Sequence, residues 1–192
     1  FIEIKNLIVR EGIDLVVTGP EQPLVAGLTD YLHASFSTEH VAVLGPDKAG
    51  AMLEGSKAFA KHFMKKYNIP TAGYKKFSVN QTREAKEYLN HLRPPYVLKA
   101  DGLASGKGVI ICETLEEAHE TIHNFFVNKQ FGEAGETLVI EEHLNGKELS
   151  FFILTDGNQF ILLPEARDYK RAGQGDTGPN TGGMGAVSPV LP

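Results

Sequence analysis

The apolar positions of the first fifty residues alternate between helical and strand spacing. Phe1, Ile4, Leu7 and Ile8 fall on one face of a helix over 1–11 that ends near Gly12. Residues 13–18 read as a buried strand, Gly19-Pro20-Glu21 as a turn, and 23–35 as a helix with Leu24, Leu28 and Leu32 in register. Residues 41–44 form a second strand, again followed by Gly-Pro. Strands that alternate with helices imply a parallel sheet, and such sheets bind ligands at the carboxyl ends of their strands. Gly19, Pro20 and Glu21 occupy such an end. They either touch a ligand or only turn the chain.

Residues 52–67 read as one helix, with Met52, Phe59, Phe63 and Tyr67 apolar and Ser56 and Lys57 within it. Asn68-Ile69-Pro70 stops it. A strand is expected over 73–77 and a helix over 82–93, with Ala85, Leu89 and Leu92 facing inward. Pro94-Pro95 then delivers the chain into a strand over 96–98, and 109–112 is another. Thr114 and Glu117 make a capping box for a helix whose stripe is Ala118, Ile122, Phe125 and Phe126. Residues 138–140 form a strand running into Glu141-Glu142-His143-Leu144. Residues 148–155 alternate as a strand, Asp156-Gly157 is a hairpin turn, and 160–163 is the return strand. The stretch 173–185 holds six glycines in thirteen residues. Each glycine disfavours ordering by about 0.5–1 kcal/mol, so this stretch is expected to be a loop that a ligand orders.

A length of 192 residues allows one or two domains. The net charge of −5 argues against general nucleic-acid binding, which needs a basic footprint. The single cysteine, Cys112, sits in an apolar run as a core residue and points to a reducing compartment. No apolar run approaches a membrane span, and no signal peptide is visible. Phe1 opens within a helix and the chain stops in a loop rich in glycine and proline, so a piece of a longer chain is expected.

The strands at 96–98 and 109–112 flank a tip containing Gly102, Gly106 and Gly108, with Lys99 at its base and Lys107 within it. Successive amide N–H groups in such a turn form a concave anion site, and two lysines suit it to a polyphosphate. It is not a P-loop: three residues, not four, separate Gly102 from Gly106, Gly108 replaces the hydroxyl that would meet magnesium, and a strand follows. Nor does it carry the dinucleotide fingerprint. Taken alone, it also reads as a glycine-rich hairpin.

Five runs carry a resemblance to the ATP-grasp ligases: 19–24, 53–57, 99–109, 141–144 and 176–186. Among these enzymes the chain is most similar to the branch that joins glycine to 5-phosphoribosylamine in purine biosynthesis, giving glycinamide ribonucleotide, ADP and phosphate. The resemblance implies an α/β and α+β fold, with an ATP-grasp domain preceded by the end of a Rossmann-like parallel-sheet domain. The implied layout is 1–52 for the remainder of the amino-terminal substrate domain, 53–70 with 139–192 for the central domain, and 71–138 for the lid. It implies ATP with Mg2+ or Mn2+, small-molecule substrates, a monomer, and the cytoplasm.

The same resemblance assigns Lys57 and Lys99 to the phosphates and Gly102, Ser105, Gly106, Lys107 and Gly108 to the loop that closes over them. Lys99 and Lys107 would stabilise the transferred phosphate, with no nucleophile or base in play. Glu141, Glu142, His143 and Leu144 would read adenine, and Glu148 the ribose. Asp168, Lys170, Arg171, Asn180, Thr181, Gly182 and Gly183 would face glycine and the phosphoribosyl group, with Gly19, Pro20 and Glu21 closing that side. The metal ligands are expected beyond Pro192. Another ATP-grasp carboxylate–amine ligase and a non-catalytic nucleotide-binding module are the alternatives.

Overall fold

The computed structural model describes residues 1–36, 40–103, 108–175 and 177–190. Helix α1 (Ile2–Glu11) stops at Gly12 and leads into β1 (Leu15–Val17), which pairs in parallel with β2 (Ala42–Leu44). Helices α2 (Glu21–Val25) and α3 (Leu28–Ser35) connect the two strands. Ile8, Leu28, Leu32 and Val41 form the core of this unit.

The sequence pattern predicts one helix over 23–35, but the chain breaks it at Gly27. There φ is 91°, a left-handed conformation that glycine adopts without a Cβ clash. Leu24, Leu28 and Leu32 keep the expected spacing, which is why periodicity alone did not register the break. The expectation of a buried strand over 13–18 also needs correction. Leu15 and Val17 are 57% and 61% exposed, because the second face of the two-stranded sheet is uncovered. Phe1 and Leu7 of the first helix are likewise exposed.

Residues 52–67 divide into α4 (Lys48–Gly55) and α5 (Lys57–Lys66). Ser56, expected inside a single helix, is extended at φ −139° and caps α5 by accepting from the Phe59 N–H. Gly55 is a poor helix former and serine prefers the cap position, so the local preferences favour the break.

Four antiparallel strands follow: β3 (Tyr74–Ser78), β4 (Tyr96–Ala100), β5 (Val109–Cys112) and β6 (Thr137–Glu142), in spatial order β3-β6-β4-β5. Helices α6 (Thr82–Leu89) and α7 (Leu115–Phe126) cover one face. The predicted capping box forms at Thr114 and Glu117. Under the helices lie Phe77, Leu89, Leu98, Ile122, Phe125, Leu138 and Ile140, the main core. Cys112 is buried there against Thr121.

The last sheet is a meander of β7 (Ser150–Thr155), β8 (Phe160–Gly173) and β9 (Thr177–Val187). Asp156 builds the predicted turn, its Oδ1 accepting from the N–H groups of Asn158 and Gln159. These two bonds hold its carboxyl below the usual carboxylate range. Here the expected glycine-rich loop over 173–185 is overturned, since most of it is strand β9. Pairing with β8 supplies the backbone hydrogen bonds that offset the glycine entropy. Register shifts near Arg171 absorb the irregular glycine positions.

Candidate active site

Strand periodicity sends alternate residues of β4 and β6 to opposite faces. Leu98, Ala100, Leu138 and Ile140 pack under the helices, so Val97, Lys99, Val139 and Glu141 line the other face. Val97 pairs with Glu141 and Lys99 with Val139, which makes Lys99 and Glu141 diagonal neighbours. Their Nζ and Oε2 atoms lie 3.0 Å apart.

Helix α5 brings two more lysines to this face. Lys57 and Lys61 are four residues apart and therefore share one side of the helix. Lys61 Nζ sits 2.9 Å from the same Glu141 Oε2. It also donates to Thr71 Oγ1 at 2.8 Å and to the Ala72 carbonyl at 3.3 Å. Lys57 Nζ donates to the carbonyl of Gly102 at 2.8 Å. Burial pushes the Lys57 ammonium below its ordinary value of 10.5. Asp101 and Glu54 oppose that shift, and the nearby charge of Lys99 adds to it.

Asp101 locks the helix to the base of the glycine tip. Its carboxylate accepts from Ser56 Oγ, the Ala58 N–H and the Gly102 N–H at 3.0–3.1 Å. Gly102 has φ 93°, so it turns the chain where most residues would strain. On the return side, the Gly108 carbonyl accepts from the Ala100 N–H at 2.8 Å. Ser105, Gly106 and Lys107 lie outside the described residues.

Two buried polar atoms at the end of β6 have no hydrogen-bond partner among the described residues: Glu141 Oε1 and His143 Nδ1. A buried acceptor left unpaired is costly, and a ligand that donates to it would relieve the cost. Leu144 beside them is 64% exposed. Glu142 is engaged otherwise, since its Oε1 accepts from the Gly73 N–H at 2.7 Å and fixes the approach to β3.

A second group gathers on the β7–β9 sheet. Lys170 Nζ bonds to Glu148 Oε1 and lies 4.0 Å from Asp168 Oδ2. Thr181 Oγ1 donates to the Lys170 carbonyl at 2.8 Å and accepts from the Gly183 N–H at 3.1 Å. Asp168 Oδ1 approaches Gly183 so closely that an added Cβ would stand 3.4 Å away. Arg171 lies opposite Asn180 in the register, and Gly182 is in the same strand. Glu148, expected at the ribose, thus joins the residues expected at the substrates. Gly19, Pro20 and Glu21 sit between β1 and the first turn of α2. Among the described residues, no hydrogen bond links them to either group.

Lys61, Asp101 and Ser56 are the residues that sequence reasoning missed. Two signals could have found Lys61: its four-residue spacing from Lys57, and the strand alternation that turns Glu141 toward α5.

A helix-backed antiparallel sheet, with lysines of β4 and α5 gathered on its other face at the base of a glycine-rich tip, fits an ATP-grasp domain. The family model described as "Phosphoribosylglycinamide synthetase, ATP-grasp (A) domain" matches residues 55–192, and that of the N domain of the same synthetase matches 1–54. The chain belongs to the phosphoribosylglycinamide synthetase family. It is 53% identical over 180 residues to the chloroplastic phosphoribosylamine–glycine ligase of Arabidopsis thaliana, covering 93% of this chain and 32% of that protein. Against the phosphoribosylamine–glycine ligase of Brucella melitensis it is 51% identical over 181 residues, covering 94% of this chain and 41% of the relative. The crystal structure of phosphoribosylamine–glycine ligase from Thermotoga maritima is similar at TM-score 0.71 and 44% identity, covering 81% of this chain and 40% of that one. The chain therefore spans about two fifths or less of the length of these relatives. No helix among the described residues is long and apolar enough to cross a membrane.

Proposed function

We propose that this chain carries the ATP-gripping part of a ligase that joins glycine to 5-phosphoribosylamine. The observation that supports it most directly is the convergence of Lys57 and Lys99 at the base of the glycine tip. Lys99 bonds to Glu141, whose other carboxylate oxygen is buried and, like Nδ1 of His143 shortly after it in the chain, has no hydrogen-bond partner among the described residues.

A carboxylate and an amine do not condense unaided in water. In the proposed reaction a glycine carboxylate oxygen attacks the γ-phosphorus of ATP, and the bond to the bridging oxygen breaks to release ADP. The amine of phosphoribosylamine then attacks the carbonyl carbon of the glycyl phosphate. Phosphate leaves, the nitrogen loses a proton, and an amide remains. The protein's task is to position the reactants and neutralise charge. Lys57 and Lys99 would hold the phosphates, and 102–108 would fold over them. Glu141 Oε1 would accept from the exocyclic amine of adenine, with His143 and Leu144 alongside. Glu148, Asp168, Lys170, Arg171 and the β9 residues Asn180, Thr181, Gly182 and Gly183 would face the ribose and the two substrates, with Gly19, Pro20 and Glu21 closing the site.

Among the described residues, no group of three or more His, Cys, Asp or Glu side chains could hold a metal. The divalent ion, Mg2+ or Mn2+, therefore enters this reading only as the companion of ATP, and no step here runs through it. The reading divides the chain at 52, 70 and 138, with 71–138 as the lid. It places a monomer in the cytoplasm, acting on small molecules.

The test is glycine-dependent release of ADP by the intact protein, with other amino acids as controls. Glycine alone should support it. Lys99→Ala should weaken ATP binding by about 1.5–3 kcal/mol, as for a lost charge-assisted hydrogen bond. Unchanged ATP affinity in that variant would remove Lys99 from the site.

A further inference from the structure

Two ammonium groups converge on one oxygen of Glu141. The carboxylate is 4% exposed, and Oε2 takes Lys61 at 2.9 Å and Lys99 at 3.0 Å. The two lysines are held very differently. An ammonium has three N–H bonds. Lys61 directs its own to Glu141, Thr71 and Ala72, and its Nζ stands over the Tyr74 ring, 5.6 Å from the ring centre. It is fixed and almost fully buried. Lys99 has one hydrogen bond among the described residues, to Glu141, and its side chain is 26% exposed. It has N–H bonds to spare and an opening toward solvent.

We propose that Lys61 is a positioning residue that frees Lys99 for phosphate. This rests on the reading of the site as an ATP site. A buried carboxylate stripped of its only cation is strongly disfavoured. With Lys61 in place, Glu141 keeps a counter-ion when Lys99 swings toward an incoming phosphate. Without Lys61, Glu141 captures Lys99, and the phosphates lose their ligand although Lys99 itself is untouched. Lys61 therefore governs phosphate affinity through Glu141 without contacting the nucleotide. Its bonds to Thr71 and Ala72 hold it in place from the connection that enters β3.

The experiment measures calorimetric affinities of the intact protein for ATP and for adenosine, which lacks the phosphates. The proteins are the wild type, Lys61→Met, Glu141→Gln and the double variant. Lys61→Met should weaken ATP by about tenfold to a hundredfold, the loss of one charge-assisted contact. Adenosine should change far less. In the Glu141→Gln background, which removes the capturing charge, Lys61→Met should leave ATP affinity nearly unchanged. A purely structural lysine would lower both affinities alike, and Glu141→Gln would not rescue either; that pattern overturns the proposal. If Lys61→Met does not fold alone, Glu141→Gln against the double variant decides: the double variant leaves neither buried charge, and in Glu141→Gln the Lys61 ammonium keeps its bonds to Thr71 and Ala72. Equal ATP affinity in those two supports the proposal, and a tenfold deficit in the double variant overturns it. A wild-type protein with no measurable ATP affinity would sink the ligase reading and this inference with it. A wild type that binds ATP, together with a Lys61→Met variant that binds it equally well, would sink the inference alone.

Discussion

Replacing Asp101 by alanine tests the joint between α5 and the glycine tip. The substitution removes an acceptor for Ser56 Oγ at 3.0 Å, the Ala58 N–H at 3.1 Å and the Gly102 N–H at 3.1 Å. The Ala58 N–H is one of the unpaired donors at the start of α5, and losing such a cap costs about 0.5–2 kcal/mol. Bonds to a charged acceptor contribute about 1.5–3 kcal/mol each when water is excluded. This site is only partly buried, so water replaces some of that stabilisation. The expected net loss is about 2–4 kcal/mol in the free energy of unfolding. Urea titration measures it as a lower midpoint with an unchanged slope. Asp101→Asn keeps a carbonyl acceptor without the charge, so it should fall roughly midway. Both substitutions also delete the negative charge that raises the Lys57 pKa. Lys57 then gives up its proton at lower pH, and ATP affinity should fail earlier on the alkaline side. A loss below about 0.5 kcal/mol, the size of an ordinary surface change, would refute the joint. So would a pH profile identical to that of the wild type.

Other expectations follow from the same features. Burial holds Lys57 below 10.5 in the free protein, and a bound polyphosphate favours the ammonium form. Between the lowered value and 10.5, ATP binding should take up a proton, measured by calorimetry in buffers of different ionisation enthalpy. In that window the nucleotide-free folded state binds fewer protons than the unfolded chain. The Lys57 contribution to stability therefore grows as pH rises toward 10.5 and is lost as pH falls through the lowered value. Burial raises the Cys112 thiol above 9.0, so alkylating reagents should modify it only when the chain unfolds. Because the unfolded thiol ionises first, its contribution to stability should decline as pH rises through 9.0. Phe125→Ala should cost about 3–5 kcal/mol in denaturant titration, since it opens a cavity in the main core.

The elements of the helix-backed sheet were legible in the sequence because their signals agree. Thr114 and Glu117 cap the helix whose stripe packs on the strands, and apolar alternation marks β4 and β6. The breaks at Gly27 and Ser56 were not legible by periodicity, because Leu24, Leu28 and Leu32, and Phe59 and Phe63, keep helical spacing across or beside them. Tertiary bonds settle the second break, where Asp101, forty-five residues away, holds Ser56. Strand β9 was hidden by composition: its glycines argue for a loop, and only pairing with β8 makes a strand of them. At the site, Lys57 and Lys99 stood out beside a glycine-rich run. Lys61 did not, since a lysine on a helix is ordinarily solvated. Its spacing from Lys57 and the alternation at Glu141 were the faint signals, and the ion pair with Glu141 makes them legible.

Strand β6 lies between β3 and β4 although it follows both in the chain. As the polypeptide leaves the ribosome, β4 can close on β5 as a hairpin, but β3 has no neighbour until residues 137–142 emerge. The nascent chain therefore carries vacant strand edges for some sixty residues of synthesis, counted from Ser78 to Thr137. Premature termination at Glu136 would leave Phe77 and Leu98 without their shared partner strand, a product suited to chaperone capture or aggregation.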